Sequence, residues 1–205
     1  MAEEVLGLSA MQLDALREIG NVGAGNSATA LSQIINRKID MNVPEVAIVP
    51  LDEVPDLVGG PDAMVAGVFL RVYGKAPGSV LFLLPKESAF YLVDTLMGRK
   101  HGSTKNLDFM DESALMEIGN ILAGAYLNAL AHFTKLTLLP SIPALAVDMA
   151  GAILSVVLVQ LGQMGDHALV IETEFLSEDD GIRGHFFLVP DPGSLETILS
   201  AVGVR

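Results

Sequence analysis

Two acid–amide pairs recur in this chain with the same neighbours at the same spacing. Asp14, Glu18, Asn21 and Pro44 return 99 residues later as Ser113, Glu117, Asn120 and Pro143. In each copy the glutamate and asparagine frame the tetrapeptide E-I-G-N, and the proline follows the asparagine after 22 intervening residues. On a helix, positions i, i+4 and i+7 fall within roughly 60° of one another. Asp14, Glu18 and Asn21 therefore form one polar ridge, with Leu16 and Ile19 turned away from it. Ser113, Glu117 and Asn120 form a second against Leu115, Ile118 and Leu122. An acid and an amide on an exposed ridge are placed to reach into another molecule's cleft. The glycines and alanines that follow each asparagine leave little side-chain bulk beside it, so a partner can come close.

A solvated helix face with structural asparagines would account for one such ridge. Two copies weigh against that reading. An unconstrained face drifts after duplication, yet Glu and Asn persist where Arg17 has given way to Met116. Other chemistries fit less well. V-G-A-G-N-S-A from Val22 has the form of a dinucleotide-binding fingerprint, but the residues before it read as a helix where that motif needs a strand. His101, His132, His167 and His185 are scattered without ligand spacing, so no protein-held metal is expected. No Ser-His-Asp set is recognisable from spacing. Cysteine is absent, which excludes disulfides, thiolate metal sites and a cysteine nucleophile, and fits a reducing cytoplasm.

The elements that must hold these ridges are legible in outline. Ser9-Ala-Met-Gln12 is a capping-box start, followed by helical spacing through Leu13, Leu16 and Ile19. Gly20, Gly23 and Gly25 weaken or bend this helix, or admit a close neighbour, and a second helical stretch is expected over 27–36. Strand-like runs begin at Val46, Met64 and Ser79, and a helix over 86–97 closes the first half. The second half repeats the order: a helix from about 111 to 135, strand-like runs at Ala144, His167 and Gly184, and a helix from Ser194. Laying residue 14 on 113 gives about a dozen identities over the 37 positions to Pro50. The expected fold is α/β (α+β). It is one domain over 1–205 built from two repeats, 9–104 and 107–205, with pseudo-two-fold symmetry. A mostly antiparallel sheet is flanked by helices, and both motif helices lie on one face. The stretch 148–165 is longer and more apolar than its counterpart at 50–62. It either completes the core as an extra strand or helix or offers a docking surface.

Composition bounds the partners. The net charge of −13 argues against a nucleic-acid backbone. Mean hydropathy is high at +0.49, and both 118–134 and 149–165 are uncharged, at the short edge of a membrane span. Each carries polar residues, among them Asn120, Asn128 and His132 in the first and Gln160 and Gln163 in the second. A buried core is the better reading, with no membrane contact. Glu3 and Glu4 stand where a secretory signal would be basic, so a cytoplasmic protein is expected.

Asp or Ser, Glu, Asn and Pro at these intervals resemble the signature of the CheC-type phosphatases of bacterial and archaeal chemotaxis, a family that includes CheX and FliY members. Both copies match at all four positions, and the resemblance spans essentially the whole chain. Two motifs set it apart from the CheX relatives, and the end at Arg205 implies no further flagellar-switch domain of the FliY kind. The resemblance implies an enzyme that removes phosphate from CheY, a response regulator carrying an aspartyl phosphate beside its own Mg²⁺ and lysine. No cofactor of its own is implied. Asn21 and Asn120 would orient the attacking water, Glu18 and Glu117 would pair with the CheY lysine, and Asp14 and Ser113 would assist at the rim. Pro44 and Pro143 would set the turn into the next strand. The family also implies a second partner, the receptor deamidase CheD, for which Asp148 is the candidate contact, a helix N-cap being its alternative role. Both sites are expected to work. A non-catalytic adaptor for CheY-P and CheD, or a flagellar-switch component, are the competing functions.

Overall fold

The computed structural model describes residues 8–41, 45–50, 52–161, 167–177 and 182–204. The first motif helix, α1 (Ala10–Ile35), starts at the capping box: Gln12 N donates to Ser9 Oγ (3.3 Å) and Ser9 N to Gln12 Oε1 (2.8 Å). It stops at Asn36, which turns left-handed at φ 52°. After it come β1 (Ile39–Met41), β2 (Glu45–Pro50), a 3-10 turn at Val54–Val58, β3 (Met64–Gly74), β4 (Gly78–Pro85) and α2 (Lys86–Leu96). The second motif helix, α3 (Phe109–Thr134), reuses the device: Asp108 Oδ1 accepts from the amides of Met110 and Asp111, and Asp111 reaches back to the Asp108 amide. β5 (Leu138–Pro140), β6 (Ala144–Met149), α4 (Ala150–Leu161), β7 (His167–Ser177), β8 (Arg183–Pro190) and α5 (Ser194–Ala201) complete the chain.

One expectation is corrected. Gly20, Gly23 and Gly25 do not divide α1 into two helices; they lie inside one helix of 26 residues. Close approach is the reason at Gly23, where a Cβ would fall 2.5 Å from the ring of Tyr126 on α3. At Gly119 a Cβ would fall 2.5 Å from Val68 Cγ1, so α3 lies directly on β3. The helix propensity lost at these glycines is offset by the packing it allows.

Every pair of described strands is antiparallel, in the order β1-β7-β8-β4-β3-β5, with β2 also on β7 and β6 on β3. The order reads the same from both ends once each strand is exchanged for its counterpart in the other half. Register follows suit: Met41↔Phe175 is answered by Pro140↔Val72, and Val49↔Ala168 by Asp148↔Val65. The leading strands of each half thus pair with the long strand of the other, and β4 and β8 meet at the centre.

Alternation along the two central strands serves two cores. Val80, Phe82, Leu84, Phe186 and Leu188 face the cluster under α1 and α3, whereas Leu81, Leu83, Phe187 and Val189 face a smaller cluster. The 3-10 turn and α4 cover that second face through Val54, Val58, Ala150, Ile153 and Leu154. The first part of the apolar stretch 148–165 therefore supplies an extra helix that helps complete the core, and residues 162–165 of it lie outside the described residues. α3 is long and apolar enough to cross a membrane by length and composition; here Leu115, Ile118, Leu122, Tyr126 and Leu130 are buried in the larger cluster.

The segment between the halves is tied down by buried polar groups. Asp94 on α2 accepts from the amides of Ser103 (3.0 Å) and Thr104 (3.1 Å) and from the Thr104 hydroxyl (2.7 Å). Arg99 N donates to Asp94 O, and its guanidinium reaches the buried Asp111 carboxylate at 2.8 Å in the first turn of α3. Burial pushes the Asp94 carboxyl up, but the Thr104 hydroxyl and the amides of Thr104, Ser103 and Gly102 outweigh it and hold the group below its ordinary value.

Two stability predictions follow from these contacts. Gly23→Ala should cost about 1–3 kcal/mol in urea unfolding, by overpacking against the buried Tyr126 ring, whereas Gly124→Ala, where a Cβ meets nothing within 4 Å, should be neutral or stabilise by up to about 1 kcal/mol. A carboxyl held lower in the folded chain contributes its stability in full above the unfolded value and loses it as pH falls through the folded one. The stability gap between the natural chain and Asp94→Asn should therefore be wide at neutral pH and close below roughly pH 4.

Candidate functional site

α1 and α3 pack antiparallel across the larger core. Ser27 Oγ donates to Leu122 O at 2.9 Å, and the Tyr126 ring seats on Gly23. Ser27 and Tyr126 are counterparts at the repeat offset, as are Gly23 and Leu122, so these are two versions of one contact on either side of a pseudo-dyad. The crossing lies midway between them, beside Gly25 and Gly124. The asparagines fall on opposite sides of that crossing, four residues before it on each helix. Asn21 and Asn120 are thus separated by roughly 12 Å along the helix pair, and Glu18 and Glu117 by roughly 20 Å. The result is two separate ridges and not one shared pocket.

Each ridge is oriented by what its helix buries. Leu16, Ile19 and Ala24 fix α1, and Leu115, Ile118 and Ala123 fix α3. That rotation leaves Asp14, Glu18 and Glu117 exposed, and Asn21, Asn120 and Ser113 half-buried. Glu18, Asn21, Glu117 and Asn120 make no side-chain hydrogen bond or ion pair with a described residue. A half-buried amide on a rigid helix without an internal partner is free to donate and accept at once toward an incoming molecule. The first positions are less free. Asp14 pairs with Arg17 at 3.4 Å, an exposed contact of little energetic weight, and the Ser113 hydroxyl donates to Phe109 O of its own helix at 2.8 Å. Pro143 immediately precedes β6, where it limits the backbone at the strand's start. Pro44 lies outside the described residues.

Asp148 sits elsewhere, on β6 opposite Val65, over the second core. It is exposed, and its Oδ1 accepts from the Met149 amide at 2.8 Å. It does not cap α4: the helix's first amides, on Ala150 and Gly151, go to Ala63 O and Pro61 O. It borders an apolar groove of about 360 Å³ between β3, β6 and α4, lined by Gly67, Phe69, Leu145, Ile153 and Val156.

Two of the histidines have partners within the fold. His185 Nδ1 lies 2.6 Å from Glu172 Oε1, and His101 stacks on Tyr91 at 3.9 Å between ring centroids. Among the described residues no group of three or more His, Asp or Glu side chains is placed to hold a metal ion.

Comparison with known proteins adds to this geometry. The model of the CheC-like family matches residues 11–48 and 110–146, one segment around each ridge. The chain is 44% identical over 201 residues to the CheY-P phosphatase CheC of Bacillus subtilis (strain 168), covering 96% of each. Among solved structures it is similar to Thermotoga maritima FliY, with a TM-score of 0.75 at 22% identity over 96% of this chain and 98% of the other. It is also similar to a chain of the CheX–CheY–BeF3–Mg complex of Borrelia burgdorferi, with a TM-score of 0.59 at 15% identity, over 87% and 99%. At such identities the structural likeness concerns the fold.

Proposed function

The chain belongs to the CheC-like family, and from that premise we propose that it is a hydrolase that removes phosphate from the aspartyl phosphate of a chemotaxis response regulator, CheY-P, in the cytoplasm. The observation that carries this reading is the pair of half-buried asparagines, Asn21 and Asn120, each without a side-chain partner among the described residues and each one turn from an exposed glutamate that likewise has none among them. The relative that is 44% identical over nearly the whole chain bears the same activity in its name.

An acyl phosphate asks little of its catalyst. A bond forms from water oxygen to phosphorus while the bond to the aspartyl oxygen breaks. The departing carboxylate is a weak base and needs no proton, and the proton of the water leaves with inorganic phosphate. Neither a nucleophile nor a general acid is required, so the task is to hold one water in line. Asn21 and Asn120 supply an amide that accepts from the water, donates beside it and does not titrate. Glu18 and Glu117 pair with the regulator's lysine and fix how deeply each asparagine enters. Asp14 and Ser113 stand at the rim.

CheD is the second partner in this reading, with Asp148 as the contact. An exposed carboxylate bordering an apolar groove, with no capping task on α4, suits recognition of a basic group beside an apolar one. The rival reading, a binding adaptor without hydrolysis, is separated by phosphate release.

With CheY charged by acetyl phosphate, Asn21→Ala and Asn120→Ala should each keep part of the accelerated phosphate release, and the double variant should lose about 100-fold. A double variant as active as the natural chain would refute the mechanism, and binding of CheY-P without any acceleration by the natural chain would favour the adaptor. Asp148→Lys should abolish co-purification with CheD while leaving unfolding by urea unchanged; retained binding would remove Asp148 from that interface.

A further inference from the structure

We propose that the footprint of the phosphorylated response regulator on each motif helix extends past the polar ridge at both ends, onto an exposed methionine before it (Met11, Met110) and an open helix glycine after it (Gly25, Gly124). The inference rests on the reading of the ridges as docking sites for CheY-P and adds the residues that set its affinity.

Met11 and Met110 are the same residue at the repeat offset, three positions before Asp14 and Ser113. They are 68% and 59% exposed, although both belong to helices whose apolar side chains are otherwise largely buried. A single exposed methionine needs no explanation. Two at equivalent positions, in line with two unpaired glutamates, do. Seven residues bring a helix back to within about 20° of the same direction. Met11, Glu18 and Gly25 therefore lie along one line, as do Met110, Glu117 and Gly124, with roughly 10 Å between successive members. Methionine is unbranched and polarizable, and moulds itself to an irregular apolar surface.

The glycines supply the second observation. A helix-interior glycine is unfavourable relative to alanine, and Gly23 and Gly119 earn their places through Tyr126 and Val68. Gly25 and Gly124 have no such reason. A Cβ on Gly124 would meet nothing within 4 Å, and one on Gly25 only Met41 Cε at 3.9 Å, an ordinary contact. Each stands one turn beyond its asparagine, where a side chain would project beside the amide. No described residue requires that space, so the incoming molecule is what uses it.

The occupant is the regulator and not a second copy of this chain. A second copy would bring its own unpaired glutamates to face these, in a chain of net charge −13. The fitting surface is a cation with an apolar patch roughly 10 Å to one side of it. The two anchors differ in size: Phe109, 79% exposed, flanks Met110, whereas α1 has Ala10 there. The second ridge should hold the regulator more tightly.

Steady-state phosphate release from CheY-P with the full chain tests this, each ridge being isolated by Asn→Ala at the other. With Asn21→Ala as background, Met110→Lys should raise KM about tenfold with kcat within twofold, and Met110→Leu should restore it. Gly124→Leu should raise KM likewise. Met11→Lys and Gly25→Leu should act in the same way when Asn120→Ala is the background, starting from a higher KM. Unfolding by urea confirms that each variant is folded. Unchanged KM in the methionine and glycine variants, or a fall in kcat alone, would overturn the footprint while leaving the asparagine mechanism standing. Full activity of Asn21→Ala/Asn120→Ala would instead overturn the ridge reading and the footprint with it.

Discussion

The Tyr126 ring occupies the space in which a side chain on residue 23 would stand, and this contact, with the Ser27–Leu122 hydrogen bond across the dyad, brings the two motif helices together. Together they place the pseudo-dyad between α1 and α3, fix where they cross, and so fix how far apart the ridges lie. Tyr126 is itself held by stacking on Phe186, 4.8 Å between centroids, in the middle of β8. Helix crossing and sheet centre are therefore locked to one another through one aromatic residue. Below them, each half lends its short leading strands to the other half's long strand. The ridges stand on a platform that neither half builds alone.

Rigidity matters here because the proposed chemistry is one of placement. An amide that orients a water has no reactivity with which to compensate for error, so its usefulness depends on the precision of the helix that carries it. The capping boxes at Ser9 and Asp108 begin each helix at a defined residue, and buried leucine and isoleucine side chains set its rotation. Asp94, Arg99 and Asp111 pin the segment that introduces α3. The half-buried setting of each asparagine restrains its amide, whereas each glutamate extends into solvent where it can meet a cation first.

Much of this was legible without coordinates because it is local or repeated. The capping box, the closing helices after Pro85 and Pro190 and the strand runs of alternating burial depend on near neighbours, and the 99-residue offset tied two weak signals into one. The glycines of α1 were compatible with a bend or with a close neighbour; propensity favoured a second helix over 27–36, and only Tyr126, 103 residues away in sequence, shows that close approach is the reason at Gly23. The capping alternative for Asp148 failed for a related reason: the amides it would have served are taken by carbonyls of residues 61 and 63. Met11 and Met110 carried a readable signal, identity at the repeat offset. Their exposure was not readable, since methionine at that spacing suits a core face equally well.

What the sequence determined by itself was the inventory and its duplication: two acid–amide ridges, the helices that present them, and a charge that argues against a nucleic-acid backbone. Those follow from residue type and spacing along one chain. The tertiary structure alone decided that the halves exchange strands, that α1 runs unbroken, and that the ridges fall on opposite sides of one crossing. It alone separated glycines that the packing needs, Gly23 and Gly119, from those it leaves open, Gly25 and Gly124. The physical reason is the same throughout. Excluded volume between residues about a hundred positions apart has no signature in either segment, and it exists only once the sheet has brought them together.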